Sequence, residues 1–403
     1  MTATLDSITV RERFADVLAD IAATAVARDR DRTLPYDLVR RLAERGFGAL
    51  RVPTKFGGSG IAVPELAELV LDLGAADSNV VQLLRTHFIF TEAIIHSPES
   101  DSRSEWLRRI GRGDLFGGAY TEQNAQNQTH FSTRIESRTG RRVVTGRKFY
   151  STGSLYADWI LTTGEGDDDT VEQAVVPAKA DGVTLVDDWH GFGQKLTASG
   201  TTVFDAVDVT DAPQLPADLE LGSYGTSVAQ FWHLLALAGI ARAAHVDVVE
   251  YVRGRARFFS QGARQLPRED ALVQQVVGEV SAARHVAETL VRHSARTLGD
   301  HGTALLGGNN SQELEDATEI EIYRAQVSVI DTVLKAVTRL FDVGGASALS
   351  AEKGWDRHWR NARTLANHNP TPYRLASIGD FDLNGTSPFR QWLSGIDLRN
   401  RGS

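Results

Sequence analysis

Apolar residues recur at every third or fourth position through most of the first hundred residues, which is the spacing of one face of an α-helix. Pro35 opens the second of these helical segments, and it suits the first turn of a helix because its fixed φ angle is already helical. In the first segment the pattern is carried by Phe14, Val17, Leu18, Ile21, Ala22 and Ala25. Four helices are predicted in this part of the chain, at 6–28, 35–47, 63–76 and 79–95.

The helical spacing is lost near Gly113, and short runs rich in β-branched and aromatic residues replace it. Gly/Asp clusters separate these runs, which is typical of strands joined by tight turns. The pattern predicts a small antiparallel sheet or barrel between about 115 and 209. The predicted strands are HFSTRIESR, RRVVTGRKFYST, DWILTTG, EQAVVPA, VTLVDDW and TTVFDAVDV.

Helical spacing returns near Leu219 and continues through three long segments and a shorter one, at 226–262, 270–304, 313–343 and 354–366. Consecutive helices with short connections favour an antiparallel bundle. We therefore expect an α+β protein, mostly α. It has an N-terminal α-helical domain at 1–113, a central β domain at 114–218, and a C-terminal four-helix bundle with a tail at 219–403.

Composition narrows the function classes. A chain of 403 residues is long for one compact core, so two or three domains are expected. The net charge of -9 argues against nucleic acid as a partner. There is no cysteine, which excludes disulfides and Cys-ligated metals, and we predict no metal site. The polar N-terminus and the absence of an uninterrupted apolar run of ~18–20 residues predict a cytoplasmic protein without a membrane partner.

The segment from Gly354 to Arg374 holds the most suggestive chemistry. Its basic helix should end before Asn369, since Pro370 cannot continue a helix and disfavours helical geometry just before it. His368 then lies in a non-helical corner, where a polar side chain is displayed. By spacing alone, a helix cap or a surface histidine is the more common explanation, and a proton-transfer group is the functional one.

Two further features are open to two interpretations each. His87 lies among apolar residues of the fourth predicted helix, where a buried, hydrogen-bonded core histidine is the simpler explanation. Arginines crowd the end of the helix that begins near 226, where they form either a solvated basic face or an anion site for phosphate. These arginines are Arg253, Arg255, Arg257 and Arg264.

Five motifs in order make the chain resemble the acyl-CoA dehydrogenase superfamily over nearly its whole length. They are RVPTKFGGSG near residue 51, AYTEQNAQN at 119–127, GRKFYSTGSLYADW at 146–159, YVRGRARFF at 251–259 and FDVGGASA at 341–348. In the dehydrogenases a glutamate near the end of the bundle removes the substrate proton. Here Asn367-His368-Asn369-Pro370 stands at that place and no carboxylate does.

The chain is closer to the flavin-dependent monooxygenase branch, and resembles the dibenzothiophene monooxygenase group in particular. This similarity is dense in the last 50 residues. It is carried by DDWHGFGQKLTASGTT at 187–202, WDRHWRNART at 355–364, HNPTPYR at 368–374 and IGDFDLNG at 378–385.

The resemblance implies a flavin bound between the β domain and the bundle. It places Tyr120 and Thr121 on the pyrimidine side of the flavin ring. Ser151, Thr152 and Gly153 are implied to lie near N5, with the Thr152 hydroxyl in the role of the group's serine.

The resemblance also implies residues for the rest of the flavin. Trp189 would stack near the ring, and Arg257, or as second choice Arg255, would hold the phosphate. The turn of Gly344, Gly345 and Ser347 would meet the flavin of a neighbouring subunit. Ser347 replaces an arginine of the group, so that contact would be weaker or supplied by main-chain amides.

The activity implied is that of a two-component monooxygenase. A separate NAD(P)H-dependent flavin reductase would supply reduced FMN, which with O2 forms a C4a-hydroperoxyflavin. The substrate would be a small hydrophobic molecule oxygenated at sulfur, nitrogen or an aromatic centre. His368 would protonate or hydrogen-bond the peroxide, Thr152 would lie beside it, and His87 would line the pocket. A homotetramer is the family's usual assembly.

Two other functions remain open from the sequence. The first is an acyl-CoA dehydrogenase with an atypical base and tightly bound FAD, which is less expected than FMN. The second is a non-catalytic scaffold of this fold that has lost its cofactor.

Overall fold

The computed structural model describes residues 7–123, 131–168, 170–216, 219, 222–262 and 264–389. Seven helices come first in the chain: α1 Ser7–Glu12, α2 Ala15–Asp31, α3 Tyr36–Glu44, α4 Val63–Ala76, α5 Ser78–Leu83, α6 Arg85–His96 and α7 Asp101–Gly111. The predicted helix at 63–76 agrees with α4 at both ends. The predicted helix at 6–28 is two helices, and α7 was not predicted.

The predicted helix at 79–95 is also divided, into α5 and α6, with Leu84 at the junction. The reason is a tertiary contact. The carbonyl oxygen of Leu83 lies so close to Gly153 that a Cβ at Gly153 would stand 2.3 Å from it. Gly153 has φ +80°, which also favours glycine. The end of α5 is therefore held against the β region.

Seven strands form one sheet: β1 Phe116–Ala119, β2 Arg134–Arg138, β3 Arg141–Lys148, β4 Trp159–Glu165, β5 Val171–Pro177, β6 Val183–Val186 and β7 Thr201–Asp208. Its order is β1-β4-β2-β3-β7-β6, and β5 pairs with β4. Each predicted strand is present. The prediction of a purely antiparallel sheet is wrong, because β4 pairs in parallel with β1 and with the start of β2. Such long-range pairing leaves no local trace in the sequence.

Five helices follow: α8 Gly222–Gly254, α9 Ala271–Leu306, α10 Gln312–Arg339, α11 Asp356–Ala366 and α12 Thr371–Asn384. The first four pack together, so the predicted mostly helical α+β fold with a C-terminal bundle is confirmed. α8 ends at Gly254, eight residues before the predicted end. α12 was not predicted, and it begins with Thr371-Pro372, where proline suits the first turn. The predicted tail beyond 389 and residues 124–127 lie outside the described residues.

α8 is the helix on which the other elements are built. It packs on α4, α5, α6, α9, α10 and α11. Among the described residues it is the one helix whose length and composition would suit a membrane span, but most of its apolar stretch is buried inside the protein. Where α4 crosses α8, glycine meets glycine: a Cβ on Gly239 would lie 2.5 Å from the backbone of Gly74. The two helix backbones are therefore in direct contact.

Replacing Gly239 with alanine should destabilise the protein by about 1–3 kcal/mol, since the new methyl group forces two packed helices apart. Gly278 in α9 is a matched control because a Cβ there meets nothing within 4 Å. Gly278→Ala should instead be neutral or raise stability by up to ~1 kcal/mol through helix propensity. Thermal unfolding of both variants measures the difference, and equal melting temperatures would contradict the proposed close contact.

Candidate active site

One face of α8 holds the corner that contains His368. Asn369 donates a hydrogen bond from Nδ2 to Oε1 of Gln230 at 2.7 Å. The His368 ring lies against the ring of His233, with centroids 4.2 Å apart. Gln230 and His233 are three positions apart and so share a face of α8. The predicted end of the basic helix is also correct, since α11 stops at Ala366.

Arg85, at the start of α6, is held by the same turn of α8, because its Nε donates to the carbonyl oxygen of Ala229 at 3.0 Å. Arg85, Tyr120 and His368 are each packed closely by protein atoms, which affects their pKa values. Each of these residues nevertheless keeps part of its surface exposed to solvent. Arg85 acts electrostatically on both of the others, and we call the region that the three residues share the inner hollow. It lies between the β region and α8, where the resemblance implies a flavin.

His368 is neutral at physiological pH. Burial, reinforced by the positive charges of Arg85 and Arg374, lowers its pKa to about 3. The Nδ2 amide of Asn369 points to His368 Nδ1 at 3.2 Å, which makes Nδ1 the acceptor. Nε2 then carries the proton, and since it has no hydrogen-bond partner among the described residues, it can donate to a bound molecule. Because this pKa is far below the ordinary histidine value, the ring suits the role of a hydrogen-bond donor better than that of a proton donor.

The predicted pocket role of His87 is not supported. Its side chain is fully buried, Nε2 donates to the Gly48 carbonyl at 2.9 Å, and Nδ1 accepts from the Phe116 amide at 3.3 Å. Burial lowers its pKa to about 4. Residues two apart on a helix point to nearly opposite sides, so Arg85 faces the inner hollow while His87 faces the core.

The predicted pyrimidine contacts, Tyr120 and Thr121, directly follow β1. Thr121 forms a bridge with Phe149, at the end of β3, and is exposed. The residue after them, Glu122, was not predicted to matter, and it is buried opposite Lys148. The Lys148 Nζ lies 2.8 Å from Glu122 Oε1 and is fully buried. This ion pair joins the two motifs that the resemblance assigns to the flavin ring.

The Glu122 carboxylate is stabilised as an anion. Burial alone would raise its pKa, but hydrogen bonds from Lys148, Ser132 and Thr133 outweigh burial and hold the pKa at about 2. Ser132 and Thr133 each donate both a hydroxyl and a main-chain amide to the carboxylate. The carboxylate is thus a structural anchor with no free lone pair for catalysis.

The predicted N5 contacts, Ser151, Thr152 and Gly153, form a turn after β3. The Ser151 hydroxyl is buried without a hydrogen-bond partner, which is costly unless a bound molecule supplies one. Thr152 is half-buried, and Gly153 packs directly against the main-chain carbonyl of Leu83. The unpartnered hydroxyl of Ser151 next to the partly exposed hydroxyl of Thr152 suits hydrogen bonding to the edge of a heteroaromatic ring such as a flavin.

A chain of three hydroxyl groups leads inward from Thr152. Thr152 Oγ1 lies 2.7 Å from Ser199 Oγ, which lies 2.8 Å from Thr197 Oγ1. Thr197 donates to the main-chain carbonyl of Gln194 at 2.9 Å. Both ends of the chain lie near a carbonyl, which can only accept, but the Tyr150 carbonyl is 3.5 Å from Thr152 Oγ1 and is the weaker acceptor. We therefore infer that every hydroxyl proton in the chain points toward Gln194. Thr152 therefore presents lone pairs outward and accepts hydrogen bonds from its open side.

The backbone around this chain is strained. Tyr150, Gln194 and Ala198 have positive φ angles of 59°, 50° and 52°, which non-glycine residues rarely adopt. Such strain persists where surrounding structure enforces it, and it clusters at functional sites. Trp189 is tied to the same point, since its Nε1 donates to the Gln194 carbonyl at 2.9 Å. Its ring lies beside Tyr150, with centroids 6.0 Å apart.

The predicted phosphate residues lie together around a second cavity of about 570 Å³, which we call the outer hollow. Its lining includes Arg255, Arg257, Gly344, Gly345 and Ser347. The two arginines follow the end of α8 in a non-helical segment, rather than on the helix that the motif implied.

The two arginines of the outer hollow differ in their contacts. Arg255 donates to the Val343 carbonyl at 2.6 Å and is therefore committed to the protein. Arg257 is exposed and has no partner among the described residues, which favours it for the phosphate. The Ser347 hydroxyl is 2.7 Å from the Tyr251 hydroxyl, so the position that replaces an arginine is itself engaged.

Arg85, His233, Ser199 and Thr197 were missed by sequence reasoning. Arg85 and His233 did leave a trace, because each is a polar residue inside an apolar run, VVQLLRTHF and QFWHLLALAG. The two hydroxyl residues left none, since their role depends on a contact across the turn.

The order of a helical region, a sheet and a helical bundle, with a hollow between sheet and bundle, defines the acyl-CoA dehydrogenase class of fold. The chain belongs to the acyl-CoA dehydrogenase family. The model of its N-terminal domain matches residues 6–114 and that of its C-terminal domain matches residues 231–372, which together exceed half of the chain.

Three relatives cover nearly all of the chain. A dibenzothiophene monooxygenase of Rhodococcus erythropolis is 29% identical over 389 residues, covering 92% of each protein. A probable FMNH2-dependent monooxygenase of Pseudomonas putida is 26% identical over 385 residues, covering 94% of this chain and 96% of that one. The structure of methanesulfinate monooxygenase from Pseudomonas fluorescens is 26% identical, with a TM-score of 0.85, and covers 96% of this chain and 98% of that one. The predicted resemblance is confirmed.

Glu122→Gln should destabilise the protein by about 3–5 kcal/mol, because it leaves the fully buried Lys148 ammonium without its anion. Chemical unfolding measures the loss. Adding Lys148→Met should recover part of it, since no buried charge then remains. Glu122 has a folded pKa of about 2, below the ordinary 4.5, so its contribution is present above pH 4.5 and is lost as the pH falls toward 2.

The matched control is Glu279→Gln, which removes a surface carboxylate paired with Arg339. Both side chains are exposed, so the change should cost less than ~1 kcal/mol. Equal effects of the two substitutions would show that the buried pair has no special structural role.

Proposed function

We propose that this protein is the oxygenase component of a two-component flavin monooxygenase, which uses reduced FMN and O2 to oxygenate a small molecule at sulfur, nitrogen or an aromatic centre. The observation that carries the proposal is the corner at His368, where a neutral imidazole that can donate a hydrogen bond faces the inner hollow. The predicted monooxygenase class is confirmed, since relatives with that name span nearly the whole chain. The FMN prediction agrees with the relative named FMNH2-dependent.

The residues present fit an FMN molecule. The unpartnered hydroxyl of Ser151 and the outward-accepting hydroxyl of Thr152 suit the ring edge, and the unpaired Arg257 suits the phosphate. When bound, reduced FMN supplies the electrons that activate O2. We assign the protein's own part to His368, which holds a proton on Nε2 that it can share with a bound molecule.

A dehydrogenase is less well supported. That reaction needs a base to remove a substrate proton, and an imidazole with a pKa of about 3 is a weak base. The described groups that act on His368 are Arg85, Arg374 and Asn369, and none is a carboxylate.

The source of reduced flavin and the oligomeric state of the protein are two further parts of this proposal. A separate flavin reductase, using NAD(P)H, would deliver reduced FMN, as the name of the FMNH2-dependent relative suggests. A homotetramer would bring the outer hollow to a neighbouring subunit's flavin. We retain the domain boundaries at 113 and 218 as part of this proposal. The cytoplasmic location remains a prediction.

His368→Ala should abolish oxygen transfer while leaving FMN affinity within about threefold. Loss of one positioned hydrogen-bond donor to developing negative charge typically costs about 10²–10³-fold in rate. The wild type and the variant are mixed with photoreduced FMN, ¹⁸O2 and a panel of sulfides, indoles and amines, and product ¹⁸O is measured by mass spectrometry.

The control is His285→Ala, which removes an exposed histidine on α9. It should retain wild-type incorporation of ¹⁸O. If the wild type forms only hydrogen peroxide with every compound, the proposed function fails. If His368→Ala retains turnover, the role of His368 fails alone.

Thr197→Val should weaken the preference for reduced FMN over oxidised FMN by roughly fivefold, the effect of one neutral hydrogen bond. N5 of reduced flavin carries a proton and N5 of oxidised flavin does not, so an outward-accepting Thr152 favours the reduced form. Valine at position 197 cannot donate to the Gln194 carbonyl or accept from Ser199. Ser199 can then donate to Thr152, and the Thr152 proton can turn outward. Anaerobic and aerobic titrations give the two dissociation constants, and an unchanged ratio would contradict the assigned direction of the hydroxyl chain.

A further inference from the structure

Arg85 is a deep cation with most of its hydrogen-bonding capacity unused. Its Nε donates to the Ala229 carbonyl, but neither Nη atom has a hydrogen-bond partner among the described residues. Neither Nη atom is sealed from solvent, since neither is among the buried polar atoms without partners. The fork of the guanidinium is therefore accessible to a bound molecule.

The surroundings of Arg85 contain no compensating anion. Protein encloses it so closely that burial lowers its pKa to about 10, and the one described group that acts against this is the Tyr120 hydroxyl. Arg374 adds a second positive charge, which acts on both His233 and His368. Both histidines are neutral, and Glu319 acts on Arg374 but not on Arg85, so among the described residues no carboxylate balances the Arg85 guanidinium.

Of three other deeply placed arginines, Arg103 donates to the main-chain carbonyls of Ile94 and Ile95, and the other two are paired with acids. Arg28 lies 2.7 Å from Asp77, and Arg51 lies 2.6 Å from Glu92. Leaving a deep charge unpaired is costly, because protein solvates it less well than water does. A guanidinium fork in this state matches the two oxygens of a carboxylate, sulfinate or sulfonate group.

Arg85 is also placed beside the proposed reaction centre. The carbonyl of Ala229, which holds Arg85, and Gln230, which holds Asn369, are adjacent residues of α8. The positive charge of Arg85 contributes to the lowered pKa of His368. An anion bound by the Nη atoms would thus hold its remaining atoms within the inner hollow, near the His368 imidazole.

We propose that Arg85 binds an anionic group of the substrate, so that this enzyme acts on small organic anions rather than on uncharged hydrophobic molecules. This inference rests on the proposed function, and it changes the substrate class expected from the sequence. The alternative source of an anion at the same place is the reduced flavin ring, which is negatively charged at N1.

Methanesulfonate and dimethyl sulfone are suitable probes, because they have nearly the same shape and differ in charge. Dissociation constants are measured with FMN-saturated protein by tryptophan fluorescence and by saturation-transfer NMR. We expect the wild type to prefer methanesulfonate by about tenfold or more, the effect of a charged hydrogen bond. Arg85→Met should bring the ratio near one, and Arg85→Lys should retain most of the preference.

Arg112→Met is the matched control, since Arg112 is exposed after α7 and has no side-chain partner in the described part of the chain. It should leave the ratio unchanged. A wild type without the preference, or an Arg85→Met variant that keeps it, overturns the proposal. Thermal unfolding of both Arg85 variants shows whether they are folded.

The flavin is tested separately with the same variants. Arg85→Met should change the affinity for reduced FMN by no more than about twofold. A tenfold loss of reduced FMN binding with an unchanged methanesulfonate preference would assign the guanidinium to the flavin and overturn the proposal. Failure of the monooxygenase function has a different result, namely no ¹⁸O in any product while the Arg85-dependent anion preference persists.

Discussion

The packing of α8 through the middle of the protein is the constraint on which the rest depends. α4 can approach it only because glycine meets glycine at Gly74 and Gly239. α5 is fixed to it by the Trp232 indole, which donates to the Val81 carbonyl at 2.6 Å. The same helix then presents Ala229 and Gln230 to Arg85 and Asn369. A shift of α8 would therefore move both sides of the inner hollow together.

Electrostatics in the inner hollow follow from this packing. Burial and the positive charges of Arg85 and Arg374 keep His233 and His368 neutral, because a protonated imidazole would face like charges in a poorly solvated place. A neutral ring whose Nδ1 accepts from Asn369 has its donor on the open side. A negatively charged group of the substrate would balance the Arg85 guanidinium. The same region would then both select an anionic substrate and place it near His368.

Local patterns predicted the elements well where local physics decides them. α4 agrees at both ends because Pro64 suits its first turn and Asp77 caps the next helix. Pro370 likewise predicted where α11 ends. The division at Leu84 and the parallel pairs of β4 were not predictable, since they depend on Gly153 and on strands distant in sequence. The resemblance supplied Thr152 and Arg257, but the hydroxyl chain of Thr152 through Ser199 to Thr197, and the commitment of Arg255 to Val343, depend on tertiary contacts.

By itself, the sequence determined the order of helices and strands, the exposed corner at His368 and the family to which the chain belongs. These depend on periodicity, on proline and on motifs that are contiguous in the chain. The tertiary structure alone decided that His87 faces the core, that His368 is neutral, and that Arg85 has no acidic partner among the described residues. The physical reason is that burial and charge pairing depend on neighbours brought together from distant parts of the chain, and a side chain's chemistry changes with those neighbours.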